Sequence, residues 1–370
     1  MSNTKPAQCA GRLGRVRERL DALGLDALVV SGGTNIRYLS GFSGSNGTVV
    51  ITNDTASLVT DRRYDARAAE ELAAAAGETG AKITIEIAAG DGLEAIEELV
   101  TEASAIGVEA DHLSWSKAQT FQDRLSVERT RSTTGLVEAL REFKSASEID
   151  LMRRAASIAD DALAEVTSKG IEGMSELELQ RLLDRTALGL GADGASFDTI
   201  VASGPLAARP HHEAGERVIE RGDLVIIDFG TEVGGYRSDM TRTFISGTAT
   251  SQQELMLKAV EEAQAAGVAA AAPGVATSAI DEACRNVLES HGLAEYFTHG
   301  TGHGVGLDIH EAPSVSATST ATLAPGHVIT VEPGVYIPDV GGVRWEDTLV
   351  ITQIGSDVLT QSLKQPHLTP

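Results

Sequence analysis

The sequence predicts an α+β protein in two parts, an N-terminal α/β domain over residues 1–143 and a strand-rich C-terminal domain over residues 144–370. Three observations predict it. At 370 residues the chain exceeds one ordinary domain. Strand-like and helix-like runs alternate through the first third. After residue 197 strands dominate and hold almost every residue with chemical content.

The elements follow in order. "DALVVSG" (26–32), "GTVVITN" (47–53) and "SLVTD" (57–61) read as strands close enough to form hairpins. "YDARAAEELAAAAG" (64–77) reads as a helix, "KITIEI" (82–87) as a strand and "LEAIEELVTEA" (93–103) as a helix. "AIGVEA" (105–110) and "LSVERT" (125–130) read as further short strands, giving a mixed sheet. Residues 134–168 are then rich in helix formers, with Ser147 as the expected start of an N-terminal cap and a domain boundary near residue 143. Further helices are expected over about 175–190 and 251–270.

Composition excludes several function classes. A 42% hydrophobic fraction supplies a sizeable core, and a formal net charge of −23 argues against nucleic acid and anionic membranes as partners. Cys9 and Cys284 are the only cysteines, so no disulfide framework or thiolate zinc site is expected. No apolar run suits a signal peptide or a bilayer span, and the expected location is the cytoplasm.

"HGTGHGVGLDIHE" (299–311) places three histidines among glycines. His299 and His303 have zinc-helix spacing, but each interior glycine costs a helix about 1 kcal/mol. No Glu follows His299, so HExxH is absent. The segment therefore reads as extended backbone lying close against a neighbour, with His303 available to a cation.

Two hairpins supply acids. In "DLVIIDFGTEVGGYRSDMTRTF" (223–244), pairing about Val233 and Gly234 sets Asp228 opposite Asp239 and Ile226 opposite Thr241. In "HVITVEPGVYIPDVGGVRWEDTLVIT" (327–352), pairing about residue 339 sets Glu332 opposite Glu346. One strand-end acid is an ordinary turn cap, but two pairs in buried runs demand cations. Four carboxylates and one imidazole suit two divalent ions, with Mn²⁺ favoured over Fe²⁺, Co²⁺ or Zn²⁺.

Asp228, Asp239, His303, Glu332 and Glu346, in that order and context, resemble the pita-bread metallopeptidases: methionine aminopeptidase, prolidase and aminopeptidase P. "SGPLAARPHH", "SDMTRTF", "VITVEPGVY" and "VRWEDT" look like that family's motif blocks, and "NIRYLSGFSGSNG" looks like the N-terminal domain of prolidases and aminopeptidases P. The resemblance implies a creatinase-type α/β domain followed by a pita-bread domain. It implies that Asp228 holds one ion, that His303 and Glu332 hold the other, and that Asp239 and Glu346 bridge both. His211 would hydrogen-bond the substrate carbonyl, His310 would assist proton transfer to the leaving nitrogen, and His299 would line the leaving-residue pocket. Arg344 would orient carboxylates beside the substrate. His212 is not expected to act in catalysis, and His112, His291, His327 and His367 read as ordinary residues.

The implied reaction is cleavage between a first residue and a following proline, a tertiary amide without an N–H. Peptides with proline second are the expected partners, and a homodimer is implied. Two other classes share the fold: a metal-free creatinase-like hydrolase and a non-catalytic binding protein. Retention of all five ligands argues against both.

Overall fold

The computed structural model describes residues 11–80 and 82–367, and the chain divides into two compact units, Met1–Arg141 and Glu142–Pro370. Cys9 lies outside the described residues.

The first unit runs α1 (Arg12–Leu23), β1 (Ala27–Val30), α2 (Gly33–Ser40), β2 (Gly47–Thr52), β3 (Ala56–Thr60), α3 (Asp65–Thr79), β4 (Thr84–Ile87), α4 (Leu93–Leu99), β5 (Ile106–Glu109), α5 (Trp115–Leu125), β6 (Thr130–Thr133) and α6 (Glu138–Arg141). Its sheet has the order β4-β3-β2-β1-β5-β6. β2 pairs antiparallel with β1 and β3, and the outer pairs are parallel, so the sheet is mixed as expected. Val29, Val50, Val59 and Ile106 bury against Ile96 of α4 and Phe121 and Leu125 of α5. The strand expected over 125–130 is not there. Leu125 ends α5, which the Ser114 hydroxyl caps by accepting from Lys117 N, and Ser126 turns the chain at φ 70° before β6 begins.

The second unit opens with α7 (Ala146–Thr167). Its N-cap is Ser145 rather than Ser147, because Glu148, three residues on, completes a capping box with Ser145. α8 (Glu176–Gly189), β7 (Gly194–Ala195), β8 (Ile200–Ser203), β9 (Leu224–Phe229), β10 (Thr231–Val233), β11 (Tyr236–Arg237) and β12 (Met240–Ile245) follow. Then come α9 (Ser251–Ala270), α10 (Thr277–Ser290), β13 (Gly302–Gly304), β14 (Glu311–Val315), β15 (Val328–Val331), β16 (Gly334–Ile337), β17 (Gly341–Arg344), β18 (Asp347–Ile351) and β19 (Ser356–Val358).

Strand alternation decides where the acids point. In β9, Val225, Ile227 and Phe229 bury with α7 and α8, as do Met240 and Phe244 of β12. Asp228, Asp239 and Thr241 have the opposite parity and face away from those helices. Downstream, Ile329 and Val331 of β15, Val343 of β17 and the adjoining Trp345 bury with α9 and α10. Glu332, Arg344 and Glu346 therefore face the other way.

The first hairpin corrects the expected register. Asp228 pairs with Thr241, not Asp239, and Ile226 pairs with Thr243. The turn is Gly234–Gly235, with φ of 60° and 87°, between the pairs Glu232↔Arg237 and Val233↔Tyr236. Two successive left-handed residues suit glycine and match the twist of the arms. The shift is two residues, so every side chain keeps its face. The second hairpin has the expected register: Val331↔Asp347 and Gly334↔Arg344 bracket Glu332 and Glu346. At that level the two arms part, with Glu332 N donating to Thr301 O (2.7 Å) and Glu346 N to Thr241 O (3.2 Å).

Candidate active site

Asp228, Asp239, His303, Glu332, Glu346, Arg344, His211, His299 and His310 all line one cavity of about 400 Å³ in the second unit. Phe197, Ile200, Pro210 and Ile309 add apolar wall. The size fits a small peptide.

The glycine-rich segment delivers His303 as an extended strand. A Cβ on Gly302 would meet Thr330 O, and one on Gly304 would meet Ala312 O, so neither position has room for a side chain. His303 N donates to Thr330 Oγ1 (3.1 Å). The ring Nδ1 lies 3.0 Å from Gly304 O, which can only accept, so Nδ1 carries a proton and Nε2 is turned to the acids. Nε2 lies 3.3 Å from Glu332 Oε1 and 3.6 Å from Asp239 Oδ2.

Arg344 organises the opposite side. It is 3% exposed and donates to Asp228 Oδ2 (2.6 Å), Thr241 Oγ1 (3.0 Å) and the Tyr336 hydroxyl (2.7 Å). Thr241 in turn donates to Glu346 Oε2 (2.7 Å). Because Tyr336 accepts from Arg344, its own proton goes to His299 Nε2, 2.9 Å away, while His299 Nδ1 donates to Gly300 O (2.7 Å). His299 is thereby fixed as a neutral imidazole with both nitrogens occupied, and burial lowers its pKa accordingly. It can offer the cavity only its ring. His211 and His310 are exposed, and the His310 ring stands edge-on to His303 at 4.3 Å.

Electrostatics mark the acids as unusual. Burial, then the charge of neighbouring carboxylates, raises Asp239 and Glu346 well above the ordinary carboxylate range. Burial also opposes ionisation of Glu332, but its bond to His303 wins and holds it at about 2. Burial likewise opposes charge on His303, yet Glu332 and Asp239 raise it to about 9. A cluster that draws positive charge this strongly fits metal ions. Ligand atoms of Asp239, His303 and Glu346 lie within 4.8 Å of one another, and Asp228 Oδ1 is buried with no hydrogen-bond partner.

A second grouping, Glu109, His112 and Glu138, lies in the first unit. There Glu109 already accepts from Ser31 N, Gly32 N and Asn35 Nδ2, and Glu138 from Asn35 and His112. Its charges have partners without a metal.

Tyr336 and Thr241 escaped the sequence reading. Tyr336 carries no charge and falls in an apolar run, and the significance of Thr241 emerges only in the corrected register, directly across from Asp228.

Comparison with known proteins follows the same division of the chain. Residues 150–353 match the model of metallopeptidase family M24, and residues 12–143 match the creatinase/prolidase N-terminal domain. An uncharacterized peptidase of Bacillus subtilis, YqhT, is 38% identical over 96% of this chain and 99% of its own. The solved structure of an Xaa-Pro dipeptidase from Bacillus anthracis superposes with a TM-score of 0.90 at 37% identity, covering 96% of this chain and 98% of that one. An X-Pro aminopeptidase structure from Thermotoga maritima gives 0.87 at 30% identity, over 96% and 99%.

Proposed function

The chain belongs to metallopeptidase family M24, and on that premise we propose that it hydrolyses the bond between an N-terminal residue and a following proline. Family membership implies divalent metal, and the finer reading is that two ions would be held by Asp228, Asp239, His303, Glu332 and Glu346, with Asp239 and Glu346 serving both. The observation that carries this is the convergence of three buried carboxylates, Asp228, Asp239 and Glu346, the half-buried Glu332 and one oriented imidazole on a single cavity. When bound, the ions supply activated water and polarisation of the scissile carbonyl. The carboxylate-rich donor set favours Mn²⁺.

The chain's own residues do the rest. His211 donates to the substrate carbonyl oxygen as negative charge develops there. His310, exposed at the cavity edge, passes a proton to the leaving imino nitrogen. His299, with both nitrogens committed, packs its ring against the pyrrolidine. Arg344 fixes Asp228 and Tyr336. A homodimer belongs to the same reading and is what the family resemblance implies.

The test is hydrolysis by Mn²⁺-loaded protein of an Xaa-Pro dipeptide and an Xaa-Pro-Yaa tripeptide, beside Xaa-Ala controls. Cleavage of the dipeptide alone assigns a dipeptidase, and cleavage of the tripeptide an aminopeptidase. Equal cleavage of the Xaa-Ala controls would overturn the proline reading, and full activity in excess chelator would overturn the metal reading.

A further inference from the structure

The loop that carries His211 is tied down by a residue that does not line the cavity. Residues 204–215 leave β8 after Ser203, and Pro210 and His211 line the cavity. The anchor is Glu176, the first residue of α8, which is fully buried and not part of the cavity wall.

One carboxylate gathers Ser203 at the start of the segment, Gly215 at its end, and His212 beside the cavity-lining His211. Glu176 Oε1 accepts from Ser203 N (2.8 Å) and Ser203 Oγ (2.7 Å). Oε2 accepts from His212 Nε2 (2.8 Å) and Gly215 N (3.2 Å). Two oxygens with four acceptor positions thus receive four donors. Backbone bonds seal the same junction, with Glu176 N donating to Arg217 O and Leu177 N to Gly215 O. Arg217 adds a bond to Ser203 Oγ (2.6 Å) while paired with Asp223.

His212 is the link between this anchor and the cavity. Its Nε2 must carry a proton, because the carboxylate oxygen it meets can only accept. Its side chain is 9% exposed and turned to Glu176, whereas its chain neighbour His211 is exposed and lines the cavity. A donor to a developing oxyanion must be held within a few tenths of an ångström to be effective; the 3-10 turn Gly204–Ala208 ends three residues short of His211, and the irregular chain over 209–215 does not achieve that unaided.

We propose that Glu176 and His212 are positioning residues that hold His211 in its working place; this rests on the reading of His211 as a substrate contact. Neither touches substrate. The pair acts by fixing where the His211 backbone lies.

The test uses full-length, metal-loaded enzyme. His212→Ala is expected to lower kcat by about 10- to 100-fold with KM little changed. His212→Gln, whose amide nitrogen can still donate to Glu176, is expected to recover most of the loss. In a His211→Ala background, His212→Ala should cost no more than about a further twofold, since both act through one group. Equal losses in the two backgrounds, or wild-type kcat in His212→Ala, would overturn the proposal. Hydrogen exchange supplies a readout free of turnover: His212→Ala and Glu176→Gln should speed amide exchange over 203–215 and leave the interior of α8 protected. Should the wild-type enzyme leave Xaa-Pro peptides intact, the functional reading falls alone. The exchange experiment then still decides this one, with unaltered protection in both variants counting against it.

Discussion

Arg344 Nη2 stands 2.6 Å from Asp228 Oδ2, and the other oxygen of that carboxylate is buried with no hydrogen-bond partner. The carboxylate is thus partnered on one side only. Arginine fixes its orientation and balances part of its charge, and the free oxygen is the atom the proposed metal reading assigns to a cation. Truncating Arg344 strands a buried anion, which typically costs about 3–5 kcal/mol. Arg344→Met is expected to lose stability on that scale in denaturant titrations of chelator-treated protein. Arg344→Lys should recover only part of it, because an ammonium cannot span Asp228, Thr241 and Tyr336 together. An Arg344→Met protein as stable as wild type would sink this view of the pair.

Asp239 and Glu346 resist ionisation because they are buried beside other carboxylates. Their neutral isosteres should therefore separate stability from activity. Asp239→Asn and Glu346→Gln are expected to abolish turnover and to reduce bound metal measured by atomic spectroscopy. In excess chelator both should melt at or above the wild-type temperature. Normal turnover in either variant would refute the shared-ligand assignment.

His211→Ala is expected to lower kcat by about 10²-fold or more, the scale of losing one oxyanion donor. Steady-state kinetics on an Xaa-Pro dipeptide measure it. An unchanged kcat removes His211 from the mechanism.

His327 predicts a pH dependence of stability. It is 3% exposed, packs on Phe143 at 4.6 Å, and accepts at Nδ1 from Ala324 N (3.3 Å). Burial, reinforced by Lys144, lowers its pKa from 6.5 to about 4. Glu142, at 3.9 Å from Nε2, is beyond hydrogen-bond reach and does not offset this. The unfolded chain therefore binds a proton that the folded protein refuses. Stability is complete above about pH 6.5 and falls as pH drops toward 4, by about 3 kcal/mol in all. Melting curves across this range should show the loss, and His327→Gln should flatten it. An equally steep curve in the variant would exclude His327 as the cause.

Every residue singled out from the sequence around the acids and histidines lines one cavity, and the reason is alternation. A charged residue inside a run such as "VIIDFG" or "VITVEPG" has a fixed parity against its apolar neighbours, so its face is legible before its partner is. Its exact partner is not. The partner expected for Asp228 differs from the observed one by one pleat because the turn uses Gly234 and Gly235, and both pairings satisfy the same hydrophobic pattern. The Ser145 cap was legible in principle, since Ser145-x-x-Glu148 is a capping box while Ser147 has Asp150 in the corresponding place. Tyr336, Thr241 and Glu176 were not legible. Each matters through hydrogen bonds to residues dozens to over a hundred positions away or across a hairpin, which no local pattern encodes.

The parting of the second hairpin at Glu332 and Glu346 limits how that ribbon can change in length. One residue added to either arm between the acid and the tip would swing everything beyond it through half a pleat and bring Arg344 or Tyr336 round to the helix-covered side. The same residue added among 338–340, at the tip, would leave both arms untouched. Loop grafts, affinity tags or reporter peptides placed at that tip should therefore be tolerated, whereas equally small insertions a few positions away should be ruinous.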